Sequence, residues 1–344
     1  MALKVLVLMS GGVDSSVAAA ILREQGCNVA GLTFNLLGYG IASKDIDDAK
    51  EVTSRLGIKH TVSDLSSYFH KTIVKYFLDE YKFGRTPNPC VFCNKIIKVK
   101  MGLQLADEMG FDYIATGHYA RILRDEEGLH LMKAKWQEKS QEYYLSLVES
   151  SDLERLMLPL GEFSKDEVRR IARKMGFNIS TKEESQEICF VKKDYREFLK
   201  SNGFNEMSGK IKDSSGNVLG NHPGYYFYTV GQRRGLGVAT GRKLYVKEIR
   251  PKENEIIVAD IRDLYGYRFF VERPNFFEDV GEEFNATVRV RYRGDETEAF
   301  VKREGEVYKV ELKERLFAIT PGQIAVFYNG DKVLGGGVIS DFSS

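Results

Sequence analysis

An apolar strand that runs straight into two glycines and then into a helix leaves few folds open to a chain. Residues 4–16, KVLVLMSGGVDSS, form such a stretch. KVLVLM carries no polar alternation, as expected of a strand covered on both faces. Val13 to Glu24 reads as a helix. Glycines at such a junction let the backbone approach a ligand closely, and the unpaired N–H groups of the helix start attract an anion. Ser10, Ser15 and Ser16 add hydroxyl donors. No lysine follows the glycines, so this is not the GxxxxGK[ST] loop, and the spacing is not GxGxxG. Without a ligand, the same residues would make a tight turn capped by Asp14 and Ser15.

The pattern continues. Strands are expected at 28–36, 60–65 and 113–120, with a helix over 44–57 closed by Gly57. Alternation of this kind predicts an α/β fold with a doubly wound parallel sheet, in which ligands bind beyond the carboxyl ends of the strands. Those ends carry Ser10 to Ser16, Phe34, and Thr116 to His118. Residues 150–200 read as amphipathic helix, for example SKDEVRRIARKMG (164–176). From about 205 the chain turns rich in glycine and aromatics, in short alternating segments such as YYFYTVGQ, KLYVKEI, TVRVRYR and QIAVFYNG. These predict small all-β modules, the last a β-barrel. The expected divisions are 1–204, 205–274 and 275–344. There is no internal repeat and no low-complexity segment.

Four cysteines occur, Cys27, Cys90, Cys93 and Cys189, and two of them stand three apart in TPNPCVFCNK. The opening MALKVLVLMSGG lacks a signal-peptide cleavage site, and no run reaches the ~18 apolar residues of a membrane span, so a cytoplasmic protein without membrane contact is expected. In a reducing compartment a CxxC is catalytic or metal-binding rather than structural. Cys27 reads as core packing. Formal net charge is +1, from 50 Lys and Arg against 49 Asp and Glu, which excludes a global field for an anionic polymer. Nucleic-acid contact would need local patches. Arg289, Arg291 and Arg293 alternate in RVRYR, which on a strand places them on one face about 6.6 Å apart, a spacing that suits phosphates. Lys95, Lys98 and Lys100 follow the CxxC, and Arg233 and Arg234 sit among glycines. Each patch is equally readable as a solvated face.

SGGVDSS resembles the PP-loop of the ATP pyrophosphatase superfamily. GRTPNPCVFCNK (84–95), ATGHYAR (115–121), ESQEICFV (184–191), HPGYYFYTVGQRRGLG (222–237), RVRYR (289–293) and TPGQIAVFYNG (320–330) follow in order. Together they resemble the bacterial tRNA-specific 2-thiouridylases nearly end to end. The resemblance implies ATP-dependent 2-thiolation of the wobble uridine of tRNA, in which the C2 oxygen is adenylated and a sulfur nucleophile displaces AMP. The base must leave its stack to react. ATP would be held by Leu8, Met9, Ser10, Gly11, Gly12, Val13, Asp14, Ser15 and Ser16, with Phe34 and Gly117 at the adenosine and Asp14 helping to hold Mg²⁺. Cys93 would be the nucleophile and Cys189 the persulfide carrier, leaving a Cys93–Cys189 disulfide. Lys95 or a helix start would lower a thiol pKa. The tRNA and its target base would meet Asn88, Pro89, Cys90, His118, Lys139, Ser140, Gln141, Arg291, Tyr292 and Gln323. A persulfide or sulfide donor would be a second partner.

Two departures from the family pattern stand out. Some members carry Asp where this chain has Cys90, and with it goes a candidate general acid or base. Cys90, Cys93 and Cys189 are too few to close a structural zinc site, but three thiolates can hold a [4Fe–4S] cluster and leave one iron open. Persulfide and cluster routes both remain open at this point. Members also commonly show Lys-Asp-Gln-Ser-Tyr-Phe-Leu where this chain has KSQEYYL, within WQEKSQEYYL (136–145), so Ser140 and Glu142 do not fit. Two other readings fit parts of the chain. One is a PP-loop ligase acting on a small molecule, which would need neither the cysteines nor the β-rich C-terminal third. The other is a non-catalytic tRNA-binding or iron–sulfur protein, against which the intact SGGVDSS and both cysteines argue.

Overall fold

The computed structural model of the chain describes residues 2–38, 43–178, 188–191, 194–238 and 241–340. Of ESQEICFV, only Ile188 to Val191 lie within the described residues. Strand β1 (Lys4–Leu8) leads into helix α1 (Val13–Glu24), then β2 (Asn28–Asn35), α2 (Ser43–Arg55) and β3 (Lys59–Asp64). Strand β4 (Tyr113–Ala115) follows a helical stretch. The hairpin β5 (Ala120–Asp125) and β6 (Gly128–Lys133) comes next, and the short β7 (Leu156–Met157) completes the first sheet. That sheet has the order β3-β2-β1-β4-β7. β1 pairs in parallel with both β2 and β4. The chain therefore winds outward from β1 to β3 and returns to the other side of β1. This reversal is the switch point at which an open sheet leaves a crevice.

Alternate residues of β1 face opposite layers, as the strand period requires. Val5 and Val7 join a core with α1, α2 and the helix Lys165–Lys174, while Leu6 and Leu8 join one with Val91, Val99 and Ile114. That second core also contains Ile324, Val326 and Tyr328, so the C-terminal β module is packed against the parallel sheet rather than tethered to it.

A four-stranded sheet occupies the middle of the chain, built from Gly209–Asp213, Val218–His222, Tyr245–Arg250 and Glu255–Ala259. Beyond it lie the strands Tyr265–Phe276, Glu283–Arg289, Glu296–Glu304, Val307–Phe317, Ile324–Asn329 and Lys332–Ser340. The first pairs with the fourth, the fourth with the third, the third with the second, the second with the fifth and the fifth with the sixth, which closes back onto the first. Closure works because of the glycines in KVLGGGVI. A Cβ on Gly335 would lie 2.1 Å from the Asn275 carbonyl oxygen. The barrel begins at Tyr265, so its first strand crosses the division expected at 275.

Three expectations change. The strand expected over 113–120 stops at Ala115 and a new one starts at Ala120, because Thr116 to Tyr119 bend past α1. YYFYTVGQ is a 3-10 turn at Tyr225–Phe227 rather than a strand, since its aromatic rings are buried together instead of alternating. The strand in TVRVRYR ends at Arg289, so Arg291 and Arg293 leave it and the three arginines do not share a strand face.

Candidate active site

The loop after β1 turns on Gly11, whose φ of 67° favours glycine and whose Cβ would fall 2.2 Å from the Asp45 carbonyl oxygen. Ser16 donates its hydroxyl to the Gly12 carbonyl at 2.8 Å, and Ser15 donates to the same oxygen at 3.3 Å. Both serines are buried, so their hydroxyls set the shape of the loop. Ser10 is exposed, with its hydroxyl 3.3 Å from that of Ser15. Leu8, Met9 and Val13 are core side chains and can meet a nucleotide only through their backbone. Gly12 caps α1 without a side-chain bond, which leaves the first N–H groups of the helix pointing into the crevice.

Gly117 is a glycine for a different reason than the expected approach to adenosine. A Cβ there would lie 2.6 Å from the Ser15 nitrogen, so the residue is needed where the loop after β4 crosses the start of α1. Phe34, at the end of β2, is partly buried between two cores. Asp14 is held firmly. Lys165 donates to its two carboxylate oxygens at 2.8 and 2.9 Å, and the Tyr119 hydroxyl donates at 2.8 Å. Asp14 could therefore turn to Mg²⁺ only by leaving Lys165. Lys165 and Tyr119 went unrecognised in the sequence. One signal was present. Ser164 and Glu167 form a capping box, which puts Lys165 in the first turn of a helix, where a cation is unfavourable unless something anionic compensates.

The thiols lie next to this crevice. Pro89–Cys93 forms one helical turn with Pro89 in its first turn, and Asn94–Met101 continues it as a π-helix. Cys93 is buried, Cys90 half-buried and Cys189 exposed, and all are free thiols. Cys90 and Cys189 both act electrostatically on Cys93, so the helix and the distant Ile188–Val191 stretch do meet. Burial raises all three thiol pKa values, that of Cys93 to about 12. Lys98 opposes burial at each thiol and loses. The expected helper, Lys95, is instead paired with Glu149. Among the described residues no three His, Cys, Asp or Glu side chains are gathered at metal-binding spacing.

The barrel braces the CxxC turn. Arg85 pairs with the buried Glu80 at 2.7 Å and with Glu272 at 3.4 Å. The Thr86 N–H donates to the Pro321 carbonyl at 2.8 Å. The Gln323 amide donates to the Thr86 carbonyl at 2.8 Å, which ties its N–H side to the protein rather than to RNA. Asn88 hydrogen-bonds to Tyr143, whose hydroxyl donates to the Ile324 carbonyl at 2.8 Å.

Descriptions of one family's three parts match consecutive stretches of the chain. These are the tRNA methyl transferase HUP domain over residues 3–193, the tRNA methyl transferase PRC-barrel domain over 196–260, and the Aminomethyltransferase beta-barrel domain over 267–339. The tRNA-specific 2-thiouridylase MnmA of Carboxydothermus hydrogenoformans is 43% identical over 98% of this chain and 97% of its own. The tRNA-specific 2-thiouridylase MnmA 1 of Caldanaerobacter subterraneus subsp. tengcongensis is 44% identical over the same shares. The chain belongs to the tRNA-specific 2-thiouridylase family. The U34-tRNA thiolase NcsA of Methanococcus maripaludis, solved with its [4Fe-4S] cluster, aligns with 58% of this chain and 65% of its own at 21% identity and a TM-score of 0.38, too distant a likeness to carry its cluster across.

Within this 2-thiouridylase family member, the expected RNA contacts fall into two groups. Tyr292 packs on Tyr144, the tyrosine beside Cys90. Its ring lies 4.5 Å from that of Tyr144, and Cys90 and Arg293 both act on the Tyr144 hydroxyl. His118 is partly buried, bonded through Nδ1 to the Thr116 hydroxyl at 2.8 Å, and held well below the usual imidazole pKa by burial and then by Lys98. Arg291 donates to the Phe317 carbonyl and lies 5.6 Å over that ring, beside an open groove with Arg293 and Arg315. Lys139 is exposed.

Ser140, Gln141 and Pro89 form the other group. Pro89 is buried. Gln141 accepts the Tyr119 N–H at 3.0 Å. Ser140 is buried, accepts the Ala134 N–H at 2.8 Å and donates to Glu142, so its side chain serves the fold where an RNA contact was expected. The departure at KSQEYYL thereby resolves. The family pattern has the acid at position 140 and the hydroxyl at 142. Here they are exchanged, and the two side chains still meet.

Proposed function

We propose that this chain uses ATP to adenylate the C2 oxygen of the wobble uridine of tRNA and then replaces that oxygen with sulfur. In the first step the oxygen attacks the α-phosphorus and pyrophosphate leaves. In the second, sulfur bonds to C2, the C2–O bond breaks, and AMP departs with its electron pair. The loop Ser10–Ser16 would hold the nucleotide phosphates, with Mg²⁺ at Asp14 once Lys165 lets go. The observation that carries this reading is that one cation lies within electrostatic reach of all three thiols and of the loop after β4, whose Gly117 packs against Ser15 of the phosphate loop. That cation is Lys98, which acts on Cys90, Cys93 and Cys189, and also on His118 in the loop after β4.

Among sulfur routes, the exposure of Cys189 against the burial of Cys93 favours a persulfide delivered to Cys189 by a donor, with Cys93 inside as the thiol that helps release its terminal sulfur. The mutual influence of the three thiols favours the second reading, a [4Fe–4S] cluster with Cys90, Cys93 and Cys189 as ligands, which would supply an open iron for sulfide. The described thiols are not spaced as a ready cage.

Anaerobic purification followed by iron and acid-labile sulfide counts separates the two, beside ATP-dependent thiolation of unmodified tRNA. The expected result is no iron, activity with a persulfide donor, and a tolerant Cys90→Asp. About four irons per chain, lost together with activity in Cys90→Asp, would overturn the persulfide route. Pyrophosphate release without tRNA thiolation would overturn the thiolase reading itself.

A further inference from the structure

Sulfur transfer creates charge at a definable place. When the C2–O bond breaks, its electron pair stays on the AMP oxygen, and the phosphate gains negative charge next to the attacking sulfur. A site that excludes water needs a fixed cation there. The sequence supplies none in the usual position, because no lysine follows the loop glycines. Lys165 is engaged with Asp14, and Lys95 with Glu149.

Lys98 differs from both. It is half-buried between the fully buried Ile97 and Val99, and no carboxylate among the described residues pairs with it. Its direction follows from an unusual winding. Asn94–Met101 is a π-helix with Cys93 as its N-terminal cap residue. In a π-helix, bonds run from i to i+5, so residues five apart come onto one face. Cys93 and Lys98 are five apart. On an ordinary α-helix they would diverge by about 140°. The winding therefore turns Lys98 toward the thiols, and its charge reaches Cys90, Cys93, Cys189 and His118 together. One cation thus acts both on the thiols and on His118 of the loop after β4 that crosses the start of α1.

We propose that Lys98 is a catalytic residue of the sulfur-transfer step, its ammonium holding the phosphate of the departing AMP. This rests on the thiolase reading above. The terminal sulfur of a Cys189 persulfide bonds to C2 as the C–O bond breaks with its electron pair on AMP. The Cys93 thiolate then bonds to Cys189 Sγ as the S–S bond to the transferred sulfur breaks. This leaves 2-thiouridine and a Cys93–Cys189 disulfide that an added thiol reductant reopens, and Lys98 stays protonated throughout.

The test compares Lys98→Met and Lys98→Arg with the wild type, using unmodified tRNA, ATP and a persulfide donor. Pyrophosphate release reports adenylation, and 2-thiouridine formation reports sulfur transfer. Lys98→Met is expected to release pyrophosphate at near the wild-type rate, to accumulate adenylated tRNA, and to thiolate on the order of 10²-fold more slowly. Lys98→Arg should recover most of the loss. Equal loss of both steps would make Lys98 a structural or binding residue. Restoration of Lys98→Met by raising the pH would assign the lysine to thiol ionisation. Either outcome overturns the proposal, as does wild-type thiolation by Lys98→Met. A variant too unstable to assay is replaced by Lys98→Gln, which keeps a polar tip without the charge. If the wild type adenylates but never thiolates, the functional reading fails rather than the role of the lysine within it.

Discussion

At the residue scale, the proposed nucleotide site contains an ion pair that local sequence could not reveal. Asp14 is visible inside SGGVDSS, but its partner Lys165 lies 151 residues away and only the fold joins them. We predict that Lys165→Met slows tRNA-dependent pyrophosphate release on the order of 10²-fold, because the cation nearest the phosphate loop is lost. An unchanged adenylation rate would show that the pair is merely structural. His118 makes a second prediction with a definite sign. Its folded pKa is depressed well below the ordinary imidazole value of 6.5 by burial and then by Lys98. Below pH 6.5 the unfolded chain takes up a proton that the folded one refuses, so the stabilisation is present above 6.5 and is lost as pH falls toward the folded pKa. His118→Gln should flatten that part of the stability–pH curve. Urea midpoints between pH 7 and pH 5, flanking the usual histidine range, would check it. Parallel wild-type and variant curves would remove His118 as the cause.

At the element scale, what the sequence disclosed was what short-range pattern can carry. The β1–loop–α1 unit begins and ends where the apolar run and the glycines predicted, because a doubly covered strand has no other reading. The RVRYR strand failed for the converse reason. Alternating arginines look the same whether they face water or a buried acid, and Arg289 faces Glu142. The π-winding after Cys93 has no sequence signature, so Lys98 read only as part of a basic run. The brace between the CxxC turn and the barrel was hidden as well, since Gln323 and Thr86 are 237 residues apart. That brace is testable at Gly322. Its φ is +89° and an added Cβ would sit 3.0 Å from the Thr86 nitrogen and oxygen. Gly322→Val should push residues 85–88 away from the barrel, at about 1–3 kcal/mol of backbone strain. Thiolation should fall much more than adenylation, because the phosphate loop is on a different element. Equal rates for both steps, unchanged from wild type, would mean that the brace does not position the thiols.

At the scale of the whole molecule, the misfit residues Ser140 and Glu142 turn out to belong to one long-range feature. Glu142 has 0% exposure, and its carboxylate accepts from Arg289 at 3.3 Å, from the Tyr328 hydroxyl at 3.1 Å and from Ser140. Arg289 also pairs with Glu296, which Lys133 reaches at 2.9 Å. Glu142 and Lys133 belong to the first half of the chain, while Arg289, Glu296 and Tyr328 belong to the barrel. The network is thus the polar seam between the N-terminal α/β part and the barrel, set inside an otherwise apolar contact. The sequence showed Ser140 and Glu142 as misfits because their meaning depends on Arg289, 147 residues on. Burying charges is costly, and removing one member leaves its partner uncompensated. Arg289→Met should therefore destabilise the protein by about 3–5 kcal/mol, well beyond an exposed pair. Glu142→Leu alone should cost a comparable amount. The double variant should cost clearly less than the sum, because it leaves no lone buried charge. Urea unfolding of the four proteins measures the coupling directly. A coupling within about 0.5 kcal/mol of zero would show the two residues to be independent and would place the seam's strength in its apolar contacts alone.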